Sequence, residues 1–269
     1  MDSSQSMKDE ESIAEYYDAY WRRGEGHPLT GLYAELRALL TANVESASRC
    51  LDVGCGDGRT AGPFLDHLAA SYTGVDVSSA AVQEARSLGL DARVIADPGD
   101  LPFPDSCFDV ATCLEVLEHL VSPLAAAQEI RRVLRPGGRL IATVPNIVYW
   151  RRRIDFVAFG RWNPLGDHLS LREPWRDAHL RFFNLRALRH MLEKAGFEIV
   201  SASGHWGGFL VDLPGRHRFG NRGSIADIDR VRPASRAYRR LEAMFPSLLA
   251  YRLHIVARRP FPRAGCEQR

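Results

Sequence analysis

The sequence predicts an α/β fold built on a parallel sheet, and three observations carry that prediction. Short apolar strands alternate with helix-length segments between residues 49 and 146. The first strand, around Cys50–Val53, runs into Gly54-Cys55-Gly56-Asp57-Gly58, where glycines at alternate positions remove every Cβ from a sharp turn. The next strand, Tyr72-Thr73-Gly74-Val75-Asp76, ends in an acid 18 positions after the last of those glycines. That interval is close to the roughly 20 residues at which an acid meets ribose hydroxyls in doubly wound folds.

Taken in order, Met1 to Glu11 is polar and acidic, with no apolar core of the kind a secretion signal needs, and 1–10 is expected to be disordered. A helix is expected from Ile13 to Arg22, capped by Ser12 and dense in aromatics: Tyr16, Tyr17, Tyr20 and Trp21. Those rings either pack on the domain or cover a ligand pocket. Gly24 to Pro28 reads as a turn, and Gly31 to Leu40 as a second helix with Leu32, Leu36, Leu39 and Leu40 on one face.

Five strands follow, at 49–53, 72–76, 92–96, 108–113 and 139–144. The helix after the fourth begins at Ser122-Pro123, a cap followed by proline, and Pro136-Gly137-Gly138 is expected to end it. The alternation breaks after Val144-Pro145-Asn146. Residues 147–183 are irregular; Asn184 to Ala195 reads as a helix, Phe197 to Ala202 as a strand, 204–247 as a second irregular stretch and Ala250 to Arg258 as the last strand.

The glycine spacing is Gly-x-Gly-x-Gly, not the Gly-x-Gly-x-x-Gly of dinucleotide enzymes. With Asp52 ahead of the glycines, the turn suits a ligand with an amino acid part and a nucleoside part. Over about Arg49 to Asn146, and more faintly over Phe197 to Arg259, the chain resembles the class I S-adenosylmethionine (SAM)-dependent methyltransferases. The resemblance rests on Leu51–Gly58, Gly74–Ser78, Asp97 with Asp100-Leu101-Pro102-Phe103, Phe108–His119 and Leu134–Leu140. It is to the branches that include ubiquinone-pathway O-methyltransferases and methionine-biosynthesis-associated members.

The resemblance implies a Rossmann-like, doubly wound seven-stranded sheet of order 3-2-1-4-5-7-6, with the last strand antiparallel and substrate-binding insertions. It implies one methyltransferase domain over 1–269: N-terminal helices or a lid over 1–48, a SAM-binding core over 49–146, and substrate-recognition insertions at 147–183 and 204–247. S-adenosyl-L-methionine would be the cofactor. Asp52, Gly54 and Gly56 would hold its methionine end, Asp76 its ribose, Val77 and Asp97 its adenine, and the Leu114 carbonyl its amino group. As part of a lid, Tyr17 would join them. Pro98 departs from the family pattern, since it has no N–H to offer adenine, so either Gly99 supplies the donor or that contact is absent.

The second constellation is Leu114-Glu115-Val116-Leu117-Glu118-His119. On a helix, Glu115, Glu118 and His119 would share one face. The pattern resembles a magnesium site of ubiquinone-pathway O-methyltransferases and small-RNA 2′-O-methyltransferases, but no metal is expected here. His119 is the candidate general base, because imidazole titrates near neutrality. His168 and His179 are read as surface histidines.

The formal charge of +2 carries no signature of nucleic-acid or membrane binding, and the five cysteines form no Cys-x-x-Cys pair, which fits a reducing cytoplasm. Residues 147–183 carry seven arginines and four acids among eight aromatics. Arg172, Arg176 and Arg181 suggest a ring-containing acceptor, neutral or anionic. The expected reaction is methyl transfer to a small molecule, most simply at oxygen. The alternatives are a small-molecule N-methyltransferase, a metal-dependent RNA 2′-O-methyltransferase and a non-catalytic SAM-fold partner protein. No membrane partner is expected, and a homodimer is left open.

Overall fold

A computed structural model describes residues 13–23, 32–160, 178–205 and 246–262. Seven strands form one sheet in the order β3-β2-β1-β4-β5-β7-β6. They are β1 (Arg49–Val53), β2 (Ser71–Asp76), β3 (Ala92–Val94), β4 (Phe108–Leu114), β5 (Leu134–Pro145), β6 (Glu198–His205) and β7 (Arg252–Arg258). The first five pair in parallel, and β7 runs antiparallel to both β5 and β6.

Strand side chains alternate between two apolar layers, as the period of two requires. Leu51, Val53, Leu140, Ala142 and Val144 face α5 (Pro123–Val133) and the helix Leu185–Lys194, through Ile130, Val133, Leu188 and Leu192. Cys50, Tyr72, Val110 and Ile141 face α2 (Ala34–Asn43), α3 (Gly62–Leu68) and α4 (Ser79–Ser87), through Leu36, Leu40, Leu65 and Val82. Each layer buries large aliphatic side chains almost completely, which is the dominant favourable contribution to folding.

Several boundaries differ from those the sequence suggests. The second helix starts at Ala34, not Gly31, and ends at Asn43. Helix α5 ends at Val133, and Pro136-Gly137-Gly138 lies inside the long strand β5 instead of stopping a helix. There Gly137 adopts φ 82° and its N–H donates to the Arg259 carbonyl, so the apparent helix stop is a strand irregularity. Ser122 precedes α5 without a side-chain capping bond. Proline at the first turn suits the helix because its missing N–H would have no partner there. β6 runs three residues past Ala202, and a short helix, Pro246–Leu249, precedes β7. Ser12, Gly24 to Pro28, and residues 161–177 and 206–245 of the two irregular stretches lie outside the described residues; within the first stretch, Trp150–Phe159 forms a helix.

Strand order reverses between β1 and β4, which places a crevice beyond their carboxyl ends. The glycine turn after β1, the acid ending β2 and the acidic segment after β4 all open onto that crevice.

Candidate functional site

The glycine turn is built by backbone geometry that other residues do not readily adopt. Gly54, Gly56 and Gly58 all have φ between 55° and 77°, the left-handed region where a Cβ is strained. The N–H groups of Gly54 and Cys55 both donate to the Val75 carbonyl, which ties the turn to the end of β2. A Cβ on Gly54 would reach 2.3 Å from Val116, and one on Gly56 would reach 2.8 Å from the Trp21 indole. The turn is a cradle that side chains would fill.

Asp76 stands over this cradle. One carboxylate oxygen accepts from the Gly56 N–H at 2.9 Å, the other from the Ser78 N–H at 2.9 Å. Each oxygen retains lone-pair capacity for a further donor such as a hydroxyl. Burial raises its pKa above the ordinary carboxylate value, against the lowering effect of those backbone N–H groups.

Asp52 points into the sheet's α2–α4 layer. Its partners are Thr112 Oγ1 at 2.6 Å and Tyr72 Oη at 3.1 Å, both donating to the carboxylate. Burial pushes its pKa up to about 6 despite these two bonds. The sequence reading of Asp52 as an acceptor for a cationic group therefore meets a carboxylate already bonded to two hydroxyls.

At the far end, Val77 is half-buried against the core layer of α5. Asp97 is exposed, and its Oδ1 accepts the Gly99 N–H at 2.7 Å, a local turn contact. The N–H that the sequence offers in place of the one missing from Pro98 is thus committed to Asp97. Pro98 itself is buried.

The acidic segment is not an α-helix. After Leu114 the chain enters the left-handed region at Glu115, with φ 56°, and then makes a single 3₁₀ turn, Leu117–His119. A left-handed conformation in a glutamate is strained and tends to be retained at functional sites. The Glu115 N–H donates to the Thr143 carbonyl at 3.0 Å, and its Oε2 accepts from Arg252 Nε at 3.0 Å. So the shared helix face expected for Glu115, Glu118 and His119 does not form; Glu115 turns to Arg252 on β7.

Glu118 and His119 instead meet His179. Glu118 is 1% exposed, and among the described residues neither carboxylate oxygen has a hydrogen-bond partner. Its pKa is raised well above the ordinary value by burial and by the negative charge of Glu115. His119 Nδ1 donates to the Ala178 carbonyl at 3.0 Å, which directs Nε2 towards Glu118 Oε1 at 3.9 Å. The His119 and His179 rings lie 4.4 Å apart. One ligand atom from each of Glu118, His119 and His179 falls within 4.8 Å of the others. Pro145, Ile147, Arg152, Arg181 and Phe182 complete the wall of the small pocket that Glu118 and His179 line.

Helix α1 (Ile13–Arg22) closes the other side. Tyr17 packs edge-on against His119, with ring centroids 6.2 Å apart, and feels the charges of Asp76 and Glu118. Burial and those charges hold its phenolic proton more tightly than usual.

The structure therefore gathers Tyr17, Gly54, Gly56, Asp76, Leu114 and His119 around one crevice, sets Asp52 beneath it and leaves Asp97 at its exposed margin. Arg181 does not extend into the pocket as a free guanidinium: it donates to the Leu180 and Val121 carbonyls at 2.9 and 2.6 Å. His168, Arg172 and Arg176 lie outside the described residues. Sequence reasoning missed three contributors: His179, whose partner is 60 residues away, Arg252 on the last strand, and Asp18 on α1. No local pattern marks any of them; only strand order brings them in.

Residues 20–202 match the family model described as a methyltransferase domain. A probable S-adenosylmethionine-dependent methyltransferase of Mycolicibacterium smegmatis is 34% identical over 179 residues, 64% of this chain and 62% of that protein. A ubiquinone biosynthesis O-methyltransferase of Alkalilimnicola ehrlichii is 38% identical over 106 residues, 36% of this chain and 42% of that protein. The chain thus spans less than two thirds of the length of either relative. Among solved structures, a SAM-dependent methyltransferase from Archaeoglobus fulgidus superposes with a TM-score of 0.56 at 17% identity, covering 90% of this chain and 99% of that one. That likeness is one of fold.

Proposed function

The chain belongs to the methyltransferase-domain family, and from that premise we propose that it transfers a methyl group from S-adenosyl-L-methionine to an oxygen of a small, ring-containing acceptor, neutral or anionic. One observation carries the reading. A glycine cradle with an acid over it and a buried carboxylate–imidazole pair open onto the same crevice, at the switch point of the sheet.

The residues present fit the cofactor: left-handed Gly54 and Gly56 keep bare backbone at the turn, with Val116 and Trp21 packed close, and Asp76 keeps acceptor capacity beside it. When bound, the cofactor supplies an electrophilic methyl on sulfur. The chain's part is then to hold the acceptor in line, to exclude water and to take a proton, so positioning supplies much of the rate. Tyr17 and Trp21 shield the cradle. His119 Nε2, oriented by the Nδ1–H bond to the Ala178 carbonyl, accepts the acceptor's hydroxyl proton. Residues 49–146 are the cofactor-binding core, α1 supplies the cover, and acceptor recognition is assigned to the insertions in 147–183 and 204–247. The test is to incubate the full chain with methyl-labelled cofactor and a panel of phenolic and carboxylic acceptors. Label on acceptor oxygen supports the proposal; label on nitrogen, or none with any acceptor, overturns it.

A second reading is favoured by Glu118. A buried carboxylate with neither oxygen bonded among the described residues is costly, and two imidazoles converge on it. Glu118, His119 and His179 fit a divalent cation, with borderline nitrogen and carboxylate donors. Such an ion would lower the pKa of a nearby acceptor hydroxyl. Among the described residues no helix is long and apolar enough to cross a membrane.

A further inference from the structure

Helix α1 is attached to the domain in an unusual way. None of its residues is fully buried, and Ile13 is 53% exposed, while Tyr17 and Trp21 are partly covered. Its firm attachment is polar. Asp18 Oδ1 accepts from Ser78 Oγ at 2.6 Å and from the Ala80 N–H at 3.0 Å, and Oδ2 accepts from Ser79 Oγ at 2.8 Å. All three donors belong to the first turn of α4, where unpaired N–H groups and the helix dipole favour a carboxylate. Arg22, one turn along α1, adds a contact at 3.6 Å.

Ser78 joins this attachment to the site. Its N–H donates to Asp76 and its hydroxyl donates to Asp18, while the same hydroxyl oxygen caps α4 by accepting from the Ala81 N–H. The acid proposed to hold the ribose and the acid that holds α1 are therefore bonded to one residue. With Asp18 in place, Trp21 lies against Gly56 and Tyr17 against His119, so α1 covers the cradle from end to end.

We propose that Asp18 bolts α1, the cover expected over the cofactor cradle, to α4, and that as a positioning residue it sets how fast the cofactor and its demethylated product enter and leave. The inference rests on the cofactor reading above and adds to it a mode of exchange in which the Asp18 hydrogen bonds to Ser78, Ser79 and Ala80 must release before the cover lifts. The depressed pKa of Asp18, about 2 by virtue of its bonds to Ser78 and Ala80, keeps it ionised throughout the working range.

The test is the rate of S-adenosylhomocysteine dissociation from the full-length protein, read by surface plasmon resonance, beside hydrogen exchange of the amides in 13–22. Asp18→Ala should release the ligand about tenfold faster or more, the scale of losing charge-assisted hydrogen bonds. It should also speed exchange across α1. Ser79→Ala, which removes one bond and leaves the α4 cap in place, should fall between, and serves if Asp18→Ala fails to fold. Unchanged dissociation in a variant whose α1 amides exchange faster would overturn this mode of exchange. Unchanged exchange across α1 would overturn the role of Asp18. A wild-type protein that binds no S-adenosylhomocysteine would instead overturn the cofactor reading itself.

Discussion

Glu115 and Arg252 meet at 3.0 Å across 137 residues of sequence, joining the end of β4 to the start of β7. Both side chains are mostly buried, at 16% and 12% exposure. The pair holds a glutamate in a left-handed conformation at the point where the chain turns towards Glu118 and His119. Leaving one charge of a buried pair without its partner costs about 3–5 kcal/mol. Arg252→Met should therefore lower unfolding free energy by about that much in urea titrations, and Glu115→Gln in the same chain should restore most of it. A single variant of wild-type stability would show the pair to be incidental.

The pH dependence of stability has a definite sign at Asp52. Its folded-state pKa is raised from 3.8 to about 6 by burial, with Asp76 adding repulsion and Thr112 and Tyr72 opposing. Between those two values the folded state holds the proton that the unfolded state has lost, so stability from this group falls as pH rises through the window. Above it the cost is on the order of 3 kcal/mol. Asp52→Asn should flatten the decline in ligand-free stability between about pH 4 and 6, measured by urea unfolding at several pH values. An identical slope in wild type and variant would contradict the assignment. Glu118 pushes the slope in the same direction, so the variant removes only part of it.

The second reading of the acidic segment is checked by metal addition. Manganese should raise the melting temperature of the protein, and His179→Ala should abolish the rise without unfolding the chain. No rise in wild type, together with full activity in EDTA, would leave Glu118 and His119 as a metal-free pair.

Acceptor recognition should depend on Arg152. It lines the pocket with Glu118, His179 and Arg181 and lies 5.1 Å from the Tyr251 ring. Arg152→Ala should raise the acceptor KM while leaving cofactor affinity unchanged. A variant with wild-type kinetics towards anionic acceptors would remove Arg152 from that role.

Much of this fold was legible because it is written in local pattern. The glycine turn needs Gly54, Gly56 and Gly58 for its dihedral angles, and the acid closing β2 follows at a fixed interval. The apolar runs of β1, β4 and β5 announce strands covered on both faces. What was not legible depends on where distant segments land. Nothing near His179 marks it as a neighbour of His119, and only the return of the chain after β5 brings it there. The Pro136-Gly137-Gly138 stretch misled for a related reason: its local signal is a helix stop, while its pairing with Arg259 makes it part of a strand. The acidic segment read as a helix because Glu115, Glu118 and His119 have helical spacing, yet the left-handed Glu115 breaks the helix before it starts.

The account stands on one claim: the cradle at the β1–β4 switch point, with Asp76 over it, holds S-adenosyl-L-methionine. Calorimetric titration of the full-length protein with the cofactor tests it most directly, in wild type and in Asp76→Ala. The predicted result is one site per chain, weakened in the variant by roughly 1.5–3 kcal/mol, the scale of hydrogen bonds to a charged group. No binding by wild type, or equal affinity in a folded Asp76→Ala protein, would contradict it.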